Sequence, residues 1–243
     1  MPRSKTPVFV LQHTSGEFLG LIEDHLEGRG VRFTYFRPFT ADGKLPATVD
    51  FCAGLILLGG GPWGTKGGRA VPTLTEELEL TRDCLALGKP VVGIGLGAQV
   101  LAIAAGGDSE RTELVFEMGE ARRVKEDALN GYLPARYPLA VYMRDRPVPP
   151  DDAEILAVDQ AGRPALFQVA GNCLGFTGHP GAKLGMVEDL IMEFEESPEA
   201  PWATMEALRK AQPEIEDALV RIMTGLVQIT GLMRPGPEPR EPG

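Results

Sequence analysis

Val91-Val92-Gly93-Ile94-Gly95-Leu96-Gly97-Ala98-Gln99-Val100-Leu101-Ala102-Ile103-Ala104-Ala105-Gly106-Gly107 is the stretch whose reading decides the fold. Val91 to Ile94 is a short, continuous apolar run rich in β-branched residues, the pattern of a strand buried on both faces. Leu96 to Ala105 reads as a helix, and Gly106 and Gly107 end it. Only Gly95 lies between them, so the chain turns from strand into helix within one residue.

The same alternation runs outward in both directions. Upstream, Val8 to Leu11 is a strand, and Phe18, Leu19, Ile22 and Leu26 follow at helical spacing. Val31 to Phe36 is a strand, and Leu55 to Leu58 is a buried strand flanked by glycines. Thr73 and Glu76 have capping-box spacing at the start of a helix with a stripe at Leu74, Leu78, Thr81 and Leu85. Strands alternating with helices imply a parallel sheet covered on both faces. Downstream, Ile155 to Val158, Ala165 to Val169 and Cys173 to Thr177 are short strands separated by glycine-containing turns, which predicts a mixed or antiparallel extension. Met186 to Phe194 is helical, and Pro198 and Pro201 interrupt it. A last helix is expected to start near Pro213, with Ile215, Leu219, Ile222, Leu226, Ile229 and Met233 on one seam. That seam either packs back on the parent domain or joins two copies of the chain. Residues 108–150 give no clear pattern, and residues 234–243, with four prolines, read as a disordered tail.

Composition bounds the function. The 243 residues carry 24 basic and 34 acidic side chains, a net charge of −10. Such a balance repels phosphate backbones and anionic headgroups, which argues against a nucleic-acid or membrane-surface role. Cys52, Cys84 and Cys173 match neither a zinc nor a redox spacing, and no metal site or cofactor is expected. Free thiols and the lack of a signal-like apolar run near the start favour a cytoplasmic protein. Residues 122–146 hold six Lys or Arg and three acids, a local field for an anionic ligand or acidic partner. Residues 188–199 hold six acids and read as an exposed helix face and loop.

Three glycine-rich segments each follow a strand, and a parallel sheet gathers such segments at its carboxyl edge, where ligands bind. They are Gly59-Gly60-Gly61-Pro62-Trp63-Gly64, Gly93-Ile94-Gly95-Leu96-Gly97-Ala98-Gln99, and Gly178-His179-Pro180-Gly181. The amino end of the helix starting at Leu96 favours an anion. Alternatively, these glycines only let strand, turn and helix pack closely.

Taken together, in this order and spacing, the segments resemble the class I glutamine amidotransferase family over residues 7 to about 195. The Leu11-Gln12-His13 opening and the Gly20-Leu21-Ile22-Glu23-Asp24 helix look like the stand-alone branch related to the glutaminase half of GMP synthase. The resemblance implies a flavodoxin-like three-layer α/β sandwich: a mostly parallel sheet with a mixed extension, over residues 7–196, then C-terminal helices over 197–233. It also implies a site in which a Cys thiolate attacks the glutamine amide, His acts as base and then acid, and Glu orients the His. The first loop, with Gly60 and Gly61, and the amide of Leu96 supply the oxyanion hole, and Gln99 stands where the family contacts substrate.

The sequence departs from that pattern at two of three triad positions. The nucleophile position is Gly95 and the Glu position is Gly181, so His179 alone is retained. The W-H-x-D segment of active relatives corresponds to about Val141 to Arg146 and is not kept. An elbow residue often has positive φ, a strain that glycine relieves. The expectation is therefore a glutamine amidotransferase-like pseudoenzyme that binds, scaffolds or regulates a partner. A small anionic or glutamine-like ligand, a protein partner or a second copy are the partners it allows. The alternatives are an enzyme using His179 as acid or base in another reaction, and an inactivated variant of a genuine glutaminase.

Overall fold

The computed structural model describes residues 6–199 and 201–233; the expected disordered tail at 234–243 lies outside the described residues. In chain order the elements are β1 (Val8–Leu11), α1 (Leu21–Gly28), β2 (Phe33–Phe36), β3 (Leu55–Leu57), α2 (Leu74–Ala86), β4 (Val91–Ile94), α3 (Leu96–Ala104), β5 (Asp108–Glu110), β6 (Val115–Arg123), β7 (Arg136–Met143), β8 (Arg146–Val148), β9 (Glu154–Val158), β10 (Pro164–Val169), β11 (Cys173–Phe176), α4 (Leu184–Glu193) and α5 (Pro201–Thr230). Nine strands form one sheet in the order β2-β1-β3-β4-β11-β10-β9-β6-β7. The pairings from β2 to β11 are parallel. Those from β11 to β7 are antiparallel. This is the flavodoxin-like sandwich with a mixed extension.

The period-2 geometry of strands sorts the apolar residues into two layers. Val8, Val10, Ile56, Leu58, Val92, Ile94, Leu174 and Phe176 face one side, where Ile22 and Leu26 of α1 and Leu219, Ile222 and Leu226 of α5 cover them. Leu11, Leu55, Leu57, Val91 and Cys173 face the other, against Leu80 and Cys84 of α2 and Leu101 of α3. A third apolar cluster, including Phe116, Tyr142, Leu190, Met205 and Leu208, sits under α4 and the first half of α5.

Several expectations need correction. The last helix does not start at Pro213 but runs unbroken from Pro201 to Thr230. Pro201 sits at its first position, where the missing N–H costs nothing. Pro213 is exposed, on the side where a freed carbonyl can bond water. The seam of α5 packs back on its own chain: Ile215, Leu219, Ile222 and Leu226 are buried, and Met233, past the helix, is 48% exposed. Along α2 the fully buried line is Glu77, Leu80, Thr81 and Cys84. Of the expected stripe, Thr81 alone belongs to it; Leu74, Leu78 and Leu85 flank it, partly buried. Thr73 makes no capping bond to the backbone; its hydroxyl donates to Glu77 Oε1 at 2.5 Å. Residues 108–150 prove to be the β6–β7 hairpin and the small two-stranded β5–β8 sheet.

Candidate functional site

β3, β4 and β11 are adjacent and parallel, so the loops that follow them meet at one edge of the sheet. Gly95, between β4 and α3, holds φ +57° and ψ −113°, a conformation with a steric cost for any residue bearing Cβ. The surrounding glycines serve a different need. A Cβ on Gly93 would lie 2.3 Å from Gly97 O, and one on Gly97 would lie 2.1 Å from Leu57 O, so both are required for close backbone packing. At Gly95 the nearest atom to such a Cβ is the Gly59 Cα at 3.5 Å, ordinary contact. The backbone torsion, not crowding, selects glycine there.

Gly95 and His179 line one cavity, with Glu17, Tyr142, Thr177 and an apolar wall that includes Phe116, Met186 and Leu190. Its volume is about 30 Å³, room for a water molecule or two. Ligand pockets are on the order of ten times larger. His179 Nε2 donates to Phe18 O at 3.0 Å, and Gly181 N–H donates to His179 Nδ1 at 3.1 Å. With one nitrogen donating and the other accepting, the ring is held as the neutral Nε2–H tautomer. Burial pushes its pKa down to about 4.

Gly181 has its own structural duty. Its carbonyl accepts the Leu21 N–H at 3.0 Å, at the start of α1. A Cβ at this position would lie 3.0 Å from Ile22 Cγ1, 3.1 Å from the Ile22 amide nitrogen and 3.3 Å from Leu219 Cδ2. A glutamate beside His179 therefore meets α1 and α5.

The first loop is occupied by the chain itself. Glu17, 5% exposed, accepts the Gly61 N–H on Oε2, and its Oε1 lies 1.9 Å from where a Gly59 Cβ would stand. Burial raises the Glu17 pKa to about 7, against the lowering effects of the Gly61 bond and His13. Gly60 packs against the Leu96 side chain. The amides that follow the expected Leu96 donor in α3 are spent within the chain: Gly97 N–H donates to Leu58 O, and those of Ala98 and Gln99 donate to Gly95 O. Gln99 lies away from the cavity. It is fully buried, accepts from the Thr65 hydroxyl at 3.0 Å and donates to Arg144 O at 2.7 Å.

A buried ion pair supports this loop from below. His13 Nδ1 lies 3.0 Å from Gly59 O and Nε2 lies 2.9 Å from Glu77 Oε2. A carbonyl only accepts, so Nδ1 carries a proton, and the carboxylate favours a second one on Nε2. Burial alone would lower the His13 pKa, but Glu77 and the Gly59 carbonyl raise it overall. Because the Gly59 carbonyl points at His13, the trans peptide points the Gly60 N–H away from it.

The charged segments fold into the same region. Asp145 Oδ2 accepts from the Thr65 and Lys66 amides, and Oδ1 accepts from Thr112 N–H. Arg144 donates to Pro62 O at 2.9 Å and pairs with Glu196. Arg136 pairs with Glu120, Arg146 with Glu117 and Lys125 with Glu154, so much of the local positive field is neutralised within the chain. The acidic stretch is more than a solvated face, since Glu193 accepts from the Ser15 hydroxyl at 2.7 Å and from the amides of Ser15 and Gly16. Glu17, the His13–Glu77 pair, Tyr142 and Asp145 are the residues that sequence reasoning missed. A glutamate at 77, in helical register with Leu80 and Cys84, was the one signal available.

The family model for glutamine amidotransferase class-I matches residues 15–192. A glutamine-hydrolyzing GMP synthase from Aeropyrum pernix is 28% identical over 179 residues, covering 72% of this chain and 33% of that protein. The chain thus spans a third of the length of that curated relative. Among solved structures, a glutamine amidotransferase from Methylobacillus flagellatus superposes with a TM-score of 0.81 at 20% identity, over 99% of this chain and 100% of that one. Another from Thermotoga maritima gives 0.76 at 21% identity, over 94% and 99%. At that identity the likeness is one of fold.

Proposed function

Starting from a chain that belongs to the class I glutamine amidotransferase family, we propose that this member does not hydrolyse glutamine and serves as a binding, scaffolding or partner-regulating module. The observation that carries the reading is Gly95: at the elbow, where the family mechanism needs a thiolate, there is no side chain to attack with. The rest of the site agrees. His179 has both nitrogens committed to the backbone, and even a Cβ at Gly181 would be tight against Ile22 and Leu219. The same bonds weigh against His179 as acid or base in a different reaction, because a base needs a free lone pair. We take residues 7–196 as the family domain and 197–233 as the helical segment that closes it.

The test is an ammonia-release assay on glutamine with the purified protein against a heat-killed control. The expected result is no difference, since loss of the nucleophile leaves only the weaker effects of binding and oxyanion stabilisation. Turnover together with stoichiometric labelling by an electrophilic glutamine analogue overturns the reading, and the labelled residue then identifies the nucleophile.

A further inference from the structure

In working members of such a fold the loop after β3 faces an oxygen that arrives with substrate. Here the oxygen belongs to the chain. Both carboxyl oxygens of Glu17 lie against Gly59–Gly61, one accepting the Gly61 N–H and one filling the space that the absent Gly59 side chain leaves. We propose that Glu17 is a built-in carboxylate ligand of this loop, and that residues 14–18 are the lid that keeps the site filled and shut against free carboxylates. This rests on the reading of the site as one without glutaminase chemistry.

Three independent features carry it. The first is how firmly the lid is held from outside its own element. Glu193 of α4 accepts from the Ser15 hydroxyl and from two lid amides, and Phe18 O accepts from His179; within the lid, the Thr14 hydroxyl oxygen accepts from the Glu17 N–H. The retained histidine thus serves as a latch on the lid. The second is the cavity beside Glu17, which is too small for any organic ligand while the carboxyl group stays in place. The third is Tyr142, which lines that cavity and whose hydroxyl is buried without a hydrogen-bond partner among the described residues. A buried hydroxyl left unbonded is destabilising, so the cavity retains a polar group suited to a second carboxyl oxygen or a water beside it.

The chemistry names the ligand class. A short aliphatic monocarboxylate reproduces the Glu17 side chain beyond its Cα, and propionate is the fragment that matches it. The groups facing Glu17 are His13 after β1, with Glu77 of α2 behind it, Glu193 of α4, Tyr142 of β7 and His179 after β11.

The experiment compares wild type with Glu17→Gly, which removes every side-chain atom beyond Cα, in thermal unfolding, with and without sodium propionate at tens of millimolar. Sodium chloride at equal ionic strength and propionamide, the neutral analogue, are the controls. The variant is expected to melt lower than wild type and to regain several degrees with propionate only, while wild type does not move. Equal stabilisation by propionamide or chloride, no propionate effect on the variant, or the same effect on wild type overturns the proposal. If Glu17→Gly does not fold, the Gly61 amide proton of the wild type decides by nuclear magnetic resonance. It is expected to titrate with a midpoint near the Glu17 pKa of about 7, and an amide indifferent to pH through that range overturns the proposal. Glutamine hydrolysis by either protein is a separate readout: it sinks the proposed function and leaves the propionate result standing.

Discussion

At Gly95 there is space for a Cβ, and the backbone torsion of φ +57° is what opposes a side chain. Gly95→Cys is therefore expected to fold, at a cost of about 1 to 2 kcal/mol from the reintroduced strain, read as a lower midpoint in urea. Glutaminase activity is not expected to appear, because His179 is held neutral with Nδ1 already accepting from Gly181. Gly181→Glu is the less tolerant change, since its Cβ meets the Ile22 backbone, and overpacking of that kind costs roughly 1 to 3 kcal/mol. The double variant is expected to be less stable than either single change and still inactive. Strong ammonia release from Gly95→Cys alone would show that the machinery around the elbow is intact. Gly95 and His179 were legible as positions in the sequence because each follows a strand. What holds His179 was not, since its partners, Phe18 and the Gly181 amide, are backbone groups that no residue type announces.

Among the elements, α5 shows where local preference and packing disagree. Helix propensity favours Ala over Gly by about 1 kcal/mol in a helix interior, yet a Cβ on Gly225 would lie 2.4 Å from Leu129 O. Leu129 itself is held at φ +52° in the turn before β7, so the carbonyl has little freedom to retreat. Gly225→Ala is expected to lower stability by roughly 1 to 3 kcal/mol, the reverse of the propensity sign, in a thermal melt. Its neutrality would mean that the 129–131 turn yields. The parallel half of the sheet was readable because β3, β4 and β11 are short apolar runs bounded by glycine, as strands buried on both faces must be. The β6–β7 hairpin was not. Along β6, Glu117, Glu120 and Arg122 interrupt the apolar residues of a strand near the sheet edge, and Phe116 and Ala121 alone are buried. Pro213 misled for a related reason: proline marks helix starts in general, but on an exposed face of a long helix its cost is bearable.

Over the whole molecule, buried ionisable groups set how stability responds to pH. Glu17 has its pKa raised from 4.5 to about 7, so the folded state binds more protons than the unfolded chain across that interval. Its contribution is full below 4.5 and is lost as pH rises through about 7. His179 has its pKa lowered from 6.5 to about 4, so its contribution is present above 6.5 and is lost as pH falls toward 4. The two slopes oppose each other between pH 4.5 and 6.5, so these two contributions largely offset one another in the wild type there. His179→Gln removes one slope, and its stability is expected to rise on acidification through that window. Glu17→Gln removes the other, and its stability is expected to fall. The tilt in each case is at most about 3 kcal/mol, at about 1.4 kcal/mol per pH unit and proton, and smaller for the part of the His179 ring that reaches the surface. Urea unfolding at three pH values checks both signs, and parallel profiles for all three proteins would contradict the assignment of these protons.

The sheet order has a consequence for synthesis. β11 sits between β4 and β10, and of the nine strands it is the last in sequence, so the middle of the sheet is the last part of it to leave the ribosome. Until residues 173–176 emerge, β4 has an open edge, and the parallel strands β2-β1-β3-β4 and the hairpin strands β10-β9-β6-β7 are two unjoined halves, each with an exposed edge of the kind that recruits other chains. Domains generally complete as units during translation. For this one the insertion of a central strand between two waiting halves is the closing event, which makes the interval before it the moment of greatest exposure to mispairing and to chaperones.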